Sequence, residues 1–303
     1  MIMPTQNYEY LHNQLLCWYK ASARELPWRN TQDAYHILVS EIMLQQTQVS
    51  RVINKYNAFI RQFPNVYSLA KAPSSEVIRA WSGMGYNKRA VNLHKAANII
   101  VTDHNGKVPK SMEALLSLPG VGRYTASAIS NFAFGFQLPV VDINIKRVLG
   151  RVDRGALFDT DKLAWETAKK YLPSKEKTPE WNQSLMDLGA MVCTARNPEC
   201  ESCPLVLNCS ASIKFISMKG SKETQVKLAN KKNTKFIGSN RYYRGRIIES
   251  LRDTTKPIHI DELGKLINPN YSSKGDALWL SDIISGLIKD GLINVQKGMA
   301  SLP

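Results

Sequence analysis

Four cysteines crowd into seventeen residues, Cys193-x6-Cys200-x2-Cys203-x5-Cys209. Four thiolates this close ask for a metal centre. Zinc is one reading, since four-cysteine sites often hold it. An iron–sulfur cluster also takes four cysteines. All-cysteine zinc sites usually pair two Cys-x-x-Cys turns, and only Cys200 and Cys203 form such a turn here, which favours the cluster. A second candidate is Leu-Pro-Gly-Val-Gly-Arg-Tyr-Thr-Ala (Leu118–Ala126), preceded by a helical stretch. Gly120 and Gly122 allow backbone geometry that side chains would block. The amides that open the following helix carry the positive end of its dipole, so Gly120, Val121 and Gly122 can bind a phosphate without a basic side chain. A third is Asp142, which follows the apolar Leu138, Val140 and Val141 at the start of another helix. An aspartate there can simply cap the helix. Its place twenty residues after Gly122 also suits one linked site.

The elements that must position these groups are helical. Apolar residues recur at i, i+3, i+4 over Tyr8–Ala23, Ala34–Gln45 and Val49–Phe63. Ser74–Ser82, Ala90–Thr102, Ser111–Ser117, Tyr124–Phe134 and Asn144–Arg151 continue the pattern. Turns fall at Gly83–Gly85, Asn105–Gly106 and Pro119–Gly122. Cys17, in Leu-Leu-Cys-Trp-Tyr-Lys, reads as a small buried hydrophobe. The reading divides the chain at 1–213, a helical region with the cysteine loop at 193–209; 214–243, a basic linker; and 244–303, a small domain. The linker holds eight Lys/Arg and one acid. The last part predicts helices over Arg244–Arg252, Ile260–Ile267 and Ala277–Lys289, the third with Leu278, Ile283, Ile284, Leu287 and Ile288 facing inward. A hairpin of Leu292–Val295 and Met299–Leu302 turns at Lys297–Gly298. Three helices and a hairpin form a winged-helix pattern.

Composition sets the outer bounds. The chain has 303 residues, 44% hydrophobic and 21% charged, which excludes disordered and fibrous classes. Forty Lys/Arg against 25 Asp/Glu give +15, so a polyanion is the expected partner. The last 90 residues carry 16 basic and 8 acidic groups, more excess charge per residue than the rest. No run approaches the roughly 18 apolar residues of a membrane helix. The polar N-terminus has no secretory h-region, so a cytoplasmic setting is expected, nucleoid-associated in a prokaryote.

The hairpin, the downstream aspartate and the cysteine spacing resemble the helix-hairpin-helix DNA glycosylase superfamily with its [4Fe–4S] loop. Glu25–Arg29, Ser40–Val49 (SEIMLQQTQV), Gly83–Ala90 (GMGYNKRA) and Trp181–Thr194 narrow the likeness to MutY-type adenine glycosylases, over about residues 8–213. The resemblance implies an all-α, two-lobed fold with an iron–sulfur loop, plus the small α+β winged domain. It implies a monomer that binds double-stranded DNA carrying a mispair, flips out adenine opposite 8-oxoguanine or guanine, and hydrolyses its glycosidic bond. Glu41 would protonate adenine N7 and place the water. Asp142 would stabilise the sugar cation, with Tyr124 and Asn144 in support. Arg24, Trp28, Arg29 and Gln183 would surround the flipped base. Gln46 would wedge the stack, and Thr47, Met84 and Tyr86 would meet the opposite base. Cys193, Cys200, Cys203 and Cys209 would hold the cluster. Endonuclease III-type relatives carry a Lys where Tyr124 stands; a phenol cannot form the Schiff base that their strand cleavage needs, so little lyase activity is expected.

Residues 244–303 are too few for the nucleotide-hydrolase-like domain that many MutY-type enzymes carry. The GMGYNKRA segment also differs from GLGYYSR, which keeps a T·G or U·G mismatch glycosylase as the alternative. A winged-helix regulator with an iron–sulfur sensor would leave Glu41 and Asp142 unexplained.

Overall fold

The computed structural model describes residues 8–217 and 236–303. Most of the described chain is helical. In chain order come α1 (Tyr8–Ser22), a 3-10 turn (Pro27–Arg29), α2 (Ala34–Leu44), α3 (Val49–Gln62), α4 (Val66–Lys71), α5 (Ser74–Ala80) and α6 (Lys88–Asp103). There follow α7 (Met112–Ser117), α8 (Arg123–Phe132), α9 (Ile143–Arg154), α10 (Asp161–Lys170), α11 (Thr178–Met191) and α12 (Ser212–Ser217). After the undescribed stretch, which takes in most of the expected linker, come α13 (Asn240–Arg252), β1 (Ile258–His259), α14 (Ile260–Ile267), α15 (Ala277–Lys289), β2 (Asn294–Gln296) and β3 (Met299–Ser301).

The chain forms two compact units. One comprises Met1–Ile37, Lys110–Glu113 and Gly122–Lys231; the other comprises Leu38–Pro109, Ala114–Val121 and Lys232–Pro303. The core of the first is built on α9 and α11. Ile145, Val148, Leu149 and Val152 meet Trp181, Leu185 and Leu188, with Leu11 and Leu15 of α1 and Tyr171 filling the sides. Cys193, Cys203 and Cys209 pack against this core from the cysteine loop.

In the second unit α3 buries Val52, Tyr56 and Phe59, and the Phe59 ring stands edge-on to Trp81. The short α4 is set by a capping box: the Asn65 side chain accepts from the Ser68 amide, and the Asn65 amide donates to the Ser68 hydroxyl. The C-terminal elements share one core with this unit. Ile247, Ile248, Leu251, Leu263, Ile283, Ile284, Leu287 and Ala300 cluster with Ile78 of α5 and Val91 of α6.

The strands form a three-stranded antiparallel sheet in the order β1-β3-β2, with Val295 and Ile258 both paired to Ala300. The β2–β3 turn has positive φ at Lys297 and Gly298, as a two-residue primed turn requires.

Some expectations need correction. Cys17 is exposed, because Leu11, Leu15, Leu16 and Tyr19 take the inward stripe of α1. On α15 the buried stripe is Leu280, Ile283, Ile284 and Leu287. Leu278, two residues before it, points about 200° away and is 84% exposed; Ile288, one residue past Leu287, is also exposed. The last domain's first helix starts at Asn240, capped by Ser239, not at Arg244. β1 adds a strand that the spacing did not predict.

Candidate active site and cluster loop

Asp142 is the N-cap of α9. Its Oδ1 accepts from the Ile145 amide at 2.7 Å and its Oδ2 from Asn144 Nδ2 at 2.8 Å. The capping reading and the functional reading therefore fall on one carboxylate. Burial raises its pKa above the usual carboxylate value, against the lowering effect of these donors and of the Arg147 charge. Asn144 is fixed in turn. Its Oδ1 accepts from Arg147 Nη2 at 2.8 Å, and α11 approaches so closely that a Cβ on Gly189 would lie 2.7 Å from Asn144 Cβ. The strand-like approach to Asp142 is tied down by Asn182, which accepts from the Val140 amide and donates to the Leu138 carbonyl. Tyr124 lies in the first turn of α8 and is partly exposed.

Arg24, Arg29 and Gln183 converge in the same unit. The two arginines are organised by Asp187, whose side chain has no solvent exposure. It accepts from the Arg24 amide at 3.0 Å and Nε at 2.7 Å, and from both terminal nitrogens of Arg29 at 2.8 Å. Burial pushes the Asp187 carboxyl up, but the Arg29 and Arg24 donors outweigh it and hold it below the ordinary range. Tyr19 donates to Gln183 Oε1 at 2.8 Å. Trp28 is buried on the 3-10 turn. The sequence reading missed Asp187 and Tyr19. The only signal in the sequence is that Asp187 stands among the apolar Leu185, Met186 and Leu188.

Glu41 lies on α2 in the other unit and is only 4% exposed. Ile42 and Met43 beside it are buried. Burying an ionisable side chain costs stability, which marks the position as a candidate for function. The segment after α2 is moulded around Arg89, a residue also missed. Its guanidinium is buried and donates to the carbonyls of Ile42 (3.0 Å), Met43 (2.9 Å), Met84 and Gly85 (3.2 Å each), and to Thr47 Oγ1 (2.9 Å). Burial pushes its pKa down to about 10, so it still carries charge at neutral pH. Gln46 and Tyr86 emerge from these loops with positive φ, 56° and 45°. Met84 is 2% exposed and takes part through its backbone. Gln45 reaches the Gly120 carbonyl at 3.0 Å, and Gly120 has φ 83°, a conformation that favours glycine. Val121 is buried, and Gly122 opens α8 with no side chain capping its amides.

Cys193, Cys200, Cys203 and Cys209 line one cavity, with Val148, Leu188 and Leu205 among its apolar walls. Four cysteine sulfurs facing one apolar cavity suit a four-cysteine iron–sulfur cluster. Burial pushes Cys203 up to about 12 and raises Cys209, so ligation has to displace protons. Arg151 donates to Cys193 Sγ at 3.3 Å.

Residues 39–174 match the HhH-GPD superfamily of base excision DNA repair proteins. Residues 193–206 match the iron–sulfur binding domain of endonuclease III. The adenine DNA glycosylase of Mycolicibacterium smegmatis is 37% identical over 293 residues, spanning 92% of this chain and 91% of that protein. The human adenine DNA glycosylase is 41% identical over 211 residues, spanning 65% of this chain and 38% of that one. A solved thermostable thymine-DNA glycosylase has a TM-score of 0.63 at 33% identity, covering 68% of this chain and 97% of its own. A trapped endonuclease III–DNA covalent intermediate has a TM-score of 0.61 at 25% identity, covering 71% and 100%.

Proposed function

The chain belongs to the adenine DNA glycosylase family within the HhH-GPD superfamily, and on that premise we propose how its residues divide the chemistry. It is a DNA N-glycosylase of base excision repair, DNA is its partner, and its cysteine loop carries a [4Fe–4S] cluster. The bond cleaved joins adenine to deoxyribose. Its departure leaves an oxocarbenium-like sugar, so the base needs a proton and the cation a counter-charge.

Two carboxyl groups in different surroundings can supply both. Glu41 protonates adenine N7 and orients the attacking water. Asp142, ionised and held by Ile145 and Asn144, stabilises the cation. The observation that carries this reading is the burial of Glu41 on a helix that also buries Ile37, Leu38, Ile42 and Met43. Arg24, Trp28, Arg29 and Gln183 receive the flipped base, with Asp187 and Tyr19 as positioning residues. Gln46 fills the stack, while Thr47, Tyr86 and the Met84 backbone serve the opposite base. Gly120, Val121 and Gly122 hold a phosphate through amides. Cys193, Cys200, Cys203 and Cys209 would hold the cluster, and three of them, Cys193, Cys203 and Cys209, pack against the α9–α11 core.

The substrate is adenine opposite 8-oxoguanine or guanine, and the protein acts as a cytoplasmic monomer. The thymine-DNA glycosylase likeness favours a second reading, removal of T or U from T·G or U·G. The test incubates purified protein with A·oxoG, A·G, T·G and U·G duplexes and then cuts abasic sites with alkali. Cleavage of the adenine strand is expected, and Glu41→Gln or Asp142→Asn should reduce it by about 10²- to 10⁴-fold. Cleavage of only the T or U strand overturns the adenine reading.

A further inference from the structure

Between α8 and α9 the chain runs through residues 133–142 with neither helix nor strand. Asp142 closes that connector. Its cap bond to the Ile145 amide orients the carboxylate on its own helix, α9. That bond does not set where the carboxylate stands relative to α11, the helix that carries Gln183 and Asp187.

Two buried asparagines supply that reference. Asn182 of α11 is 2% exposed and Asn131 of α8 is fully buried. Asn182 Nδ2 donates to Asn131 Oδ1 and to the Leu138 carbonyl, both at 3.0 Å. Its Oδ1 accepts from the Val140 amide at 3.2 Å. Asn131 Nδ2 donates to the Phe136 carbonyl at 2.8 Å. The backbone turns back on α8 beside them: the Gly135 amide reaches the Asn131 carbonyl and the Phe136 amide the Ser130 carbonyl, each at 3.0 Å. Buried backbone groups of a connector need partners, so a neutral amide pair that supplies them holds the chain to one path. Val140, the buried residue so held, stands two residues before Asp142. Asn182 is also the neighbour of Gln183, whose Oε1 accepts from Tyr19. Consecutive residues of α11 thus serve the base pocket and the approach to the carboxylate.

We propose that Asn182 is a positioning residue for Asp142: backed by Asn131, it fixes the carboxylate relative to α11, at the place where the sugar cation forms beside the received base. The inference rests on the role given to Asp142 above. A catalytic group misplaced by about 1 Å can cost about 10²-fold in rate. The loss falls on the charged transition state, because the neutral ground state has no cation for the carboxylate to meet. Asn182 is uncharged and bonds the connector, so its effect on Asp142 is one of place and not of ionisation.

The test uses full-length, cluster-loaded protein and two duplexes. One carries a cationic pyrrolidine in place of the target deoxyribose, the other a neutral tetrahydrofuran, each opposite guanine. Wild-type protein should prefer the cation, which resembles the transition state. Asn182→Ala should lose about tenfold of that preference, and single-turnover excision should fall by a similar factor. Affinity for the tetrahydrofuran duplex should change by less than about twofold, and the acidic limb of the pH–rate profile should stay in place. In an Asp142→Asn background, where the preference is already gone, adding Asn182→Ala should alter pyrrolidine affinity by less than about twofold. Asn131→Ala leaves the bonds from Asn182 to Leu138 and Val140 standing and is the milder variant; it should lose about threefold of the preference. Iron content and thermal unfolding establish that each variant is folded. An unchanged preference in both variants overturns the proposal. So does equal weakening on both duplexes, or a full Asn182→Ala effect in the Asp142→Asn background. A wild-type protein that binds both sugars equally overturns the role given to Asp142 itself, and that of Asn182 with it.

Discussion

Asn144 and Cys193 are fastened to one guanidinium. Arg147 donates from Nη2 to Asn144 Oδ1 at 2.8 Å and from Nε to the Cys193 carbonyl at 2.8 Å, and Nη2 also reaches the Gly189 carbonyl. The first cluster cysteine and the residue that supports Asp142 therefore share a mount.

Arg147→Gln should lower excision about tenfold without loss of iron. The sign of its pH effect is fixed. In the proposed chemistry Asp142 works as the anion; burial already raises its pKa, and the Asn144 donor and the Arg147 charge oppose that rise. Removing Arg147 raises it further, so the acidic limb of the kcat profile should move to higher pH. A pH-rate profile with iron analysis checks both parts.

Arg89 should be indispensable to the loops that carry Gln46 and Tyr86. Truncation to Ala strands the carbonyls of Ile42, Met43, Met84 and Gly85 in a buried setting. A loss of about 3 kcal/mol is expected, since each unsatisfied group costs about 1–3 kcal/mol before relaxation. Arg89→Lys has fewer donors and a different geometry, so it should recover little. Thermal unfolding and affinity for mispaired duplex would both report the change.

Asp187→Asn should destabilise the protein by roughly 3–5 kcal/mol at neutral pH, because Arg24 and Arg29 lose their shared anion. Asp187 has a folded pKa below its ordinary 3.8. Its contribution is therefore present above about 3.8 and lost as pH falls through the lower folded value. The gap between wild type and variant in an unfolding series should narrow below pH 3.8.

Cys209 lies beyond the matched segment 193–206 yet lines the same cavity as the other three cysteines. Cys209→Ser should cost most of the bound iron and the broad visible absorbance. Full iron retention would remove it from the ligand set.

Tyr124 has no amine with which to attack the sugar. Borohydride should therefore trap no stoichiometric protein–DNA adduct during turnover, and a denaturing gel of the quenched reaction would reveal one.

Much of this protein is written in local spacing. The cysteine quartet, the Gly120–Gly122 turn and Asp142 ahead of its helix lie within a few residues of their partners, so covalent distance alone brings them together. Helix periodicity likewise located α1–α3, α14 and α15. It failed where a pattern has more apolar residues than one face can hold: Cys17, Leu278 and Ile288 sit on the wrong side of their helices. What tertiary structure decided is the set of buried charges. Asp187 meets Arg24 and Arg29 across 163 and 158 residues of chain, and Arg89 reaches back 46 residues to Met43. Nothing in the spacing of these residues marks the pairing, because a buried ion acquires its partner from whichever element packing lays against it. The same is true of the C-terminal domain. Its helices and hairpin were legible, but its shared core with Ile78 and Val91, and the placement of Arg241 over Tyr86, follow from burial of apolar faces that no local pattern pairs.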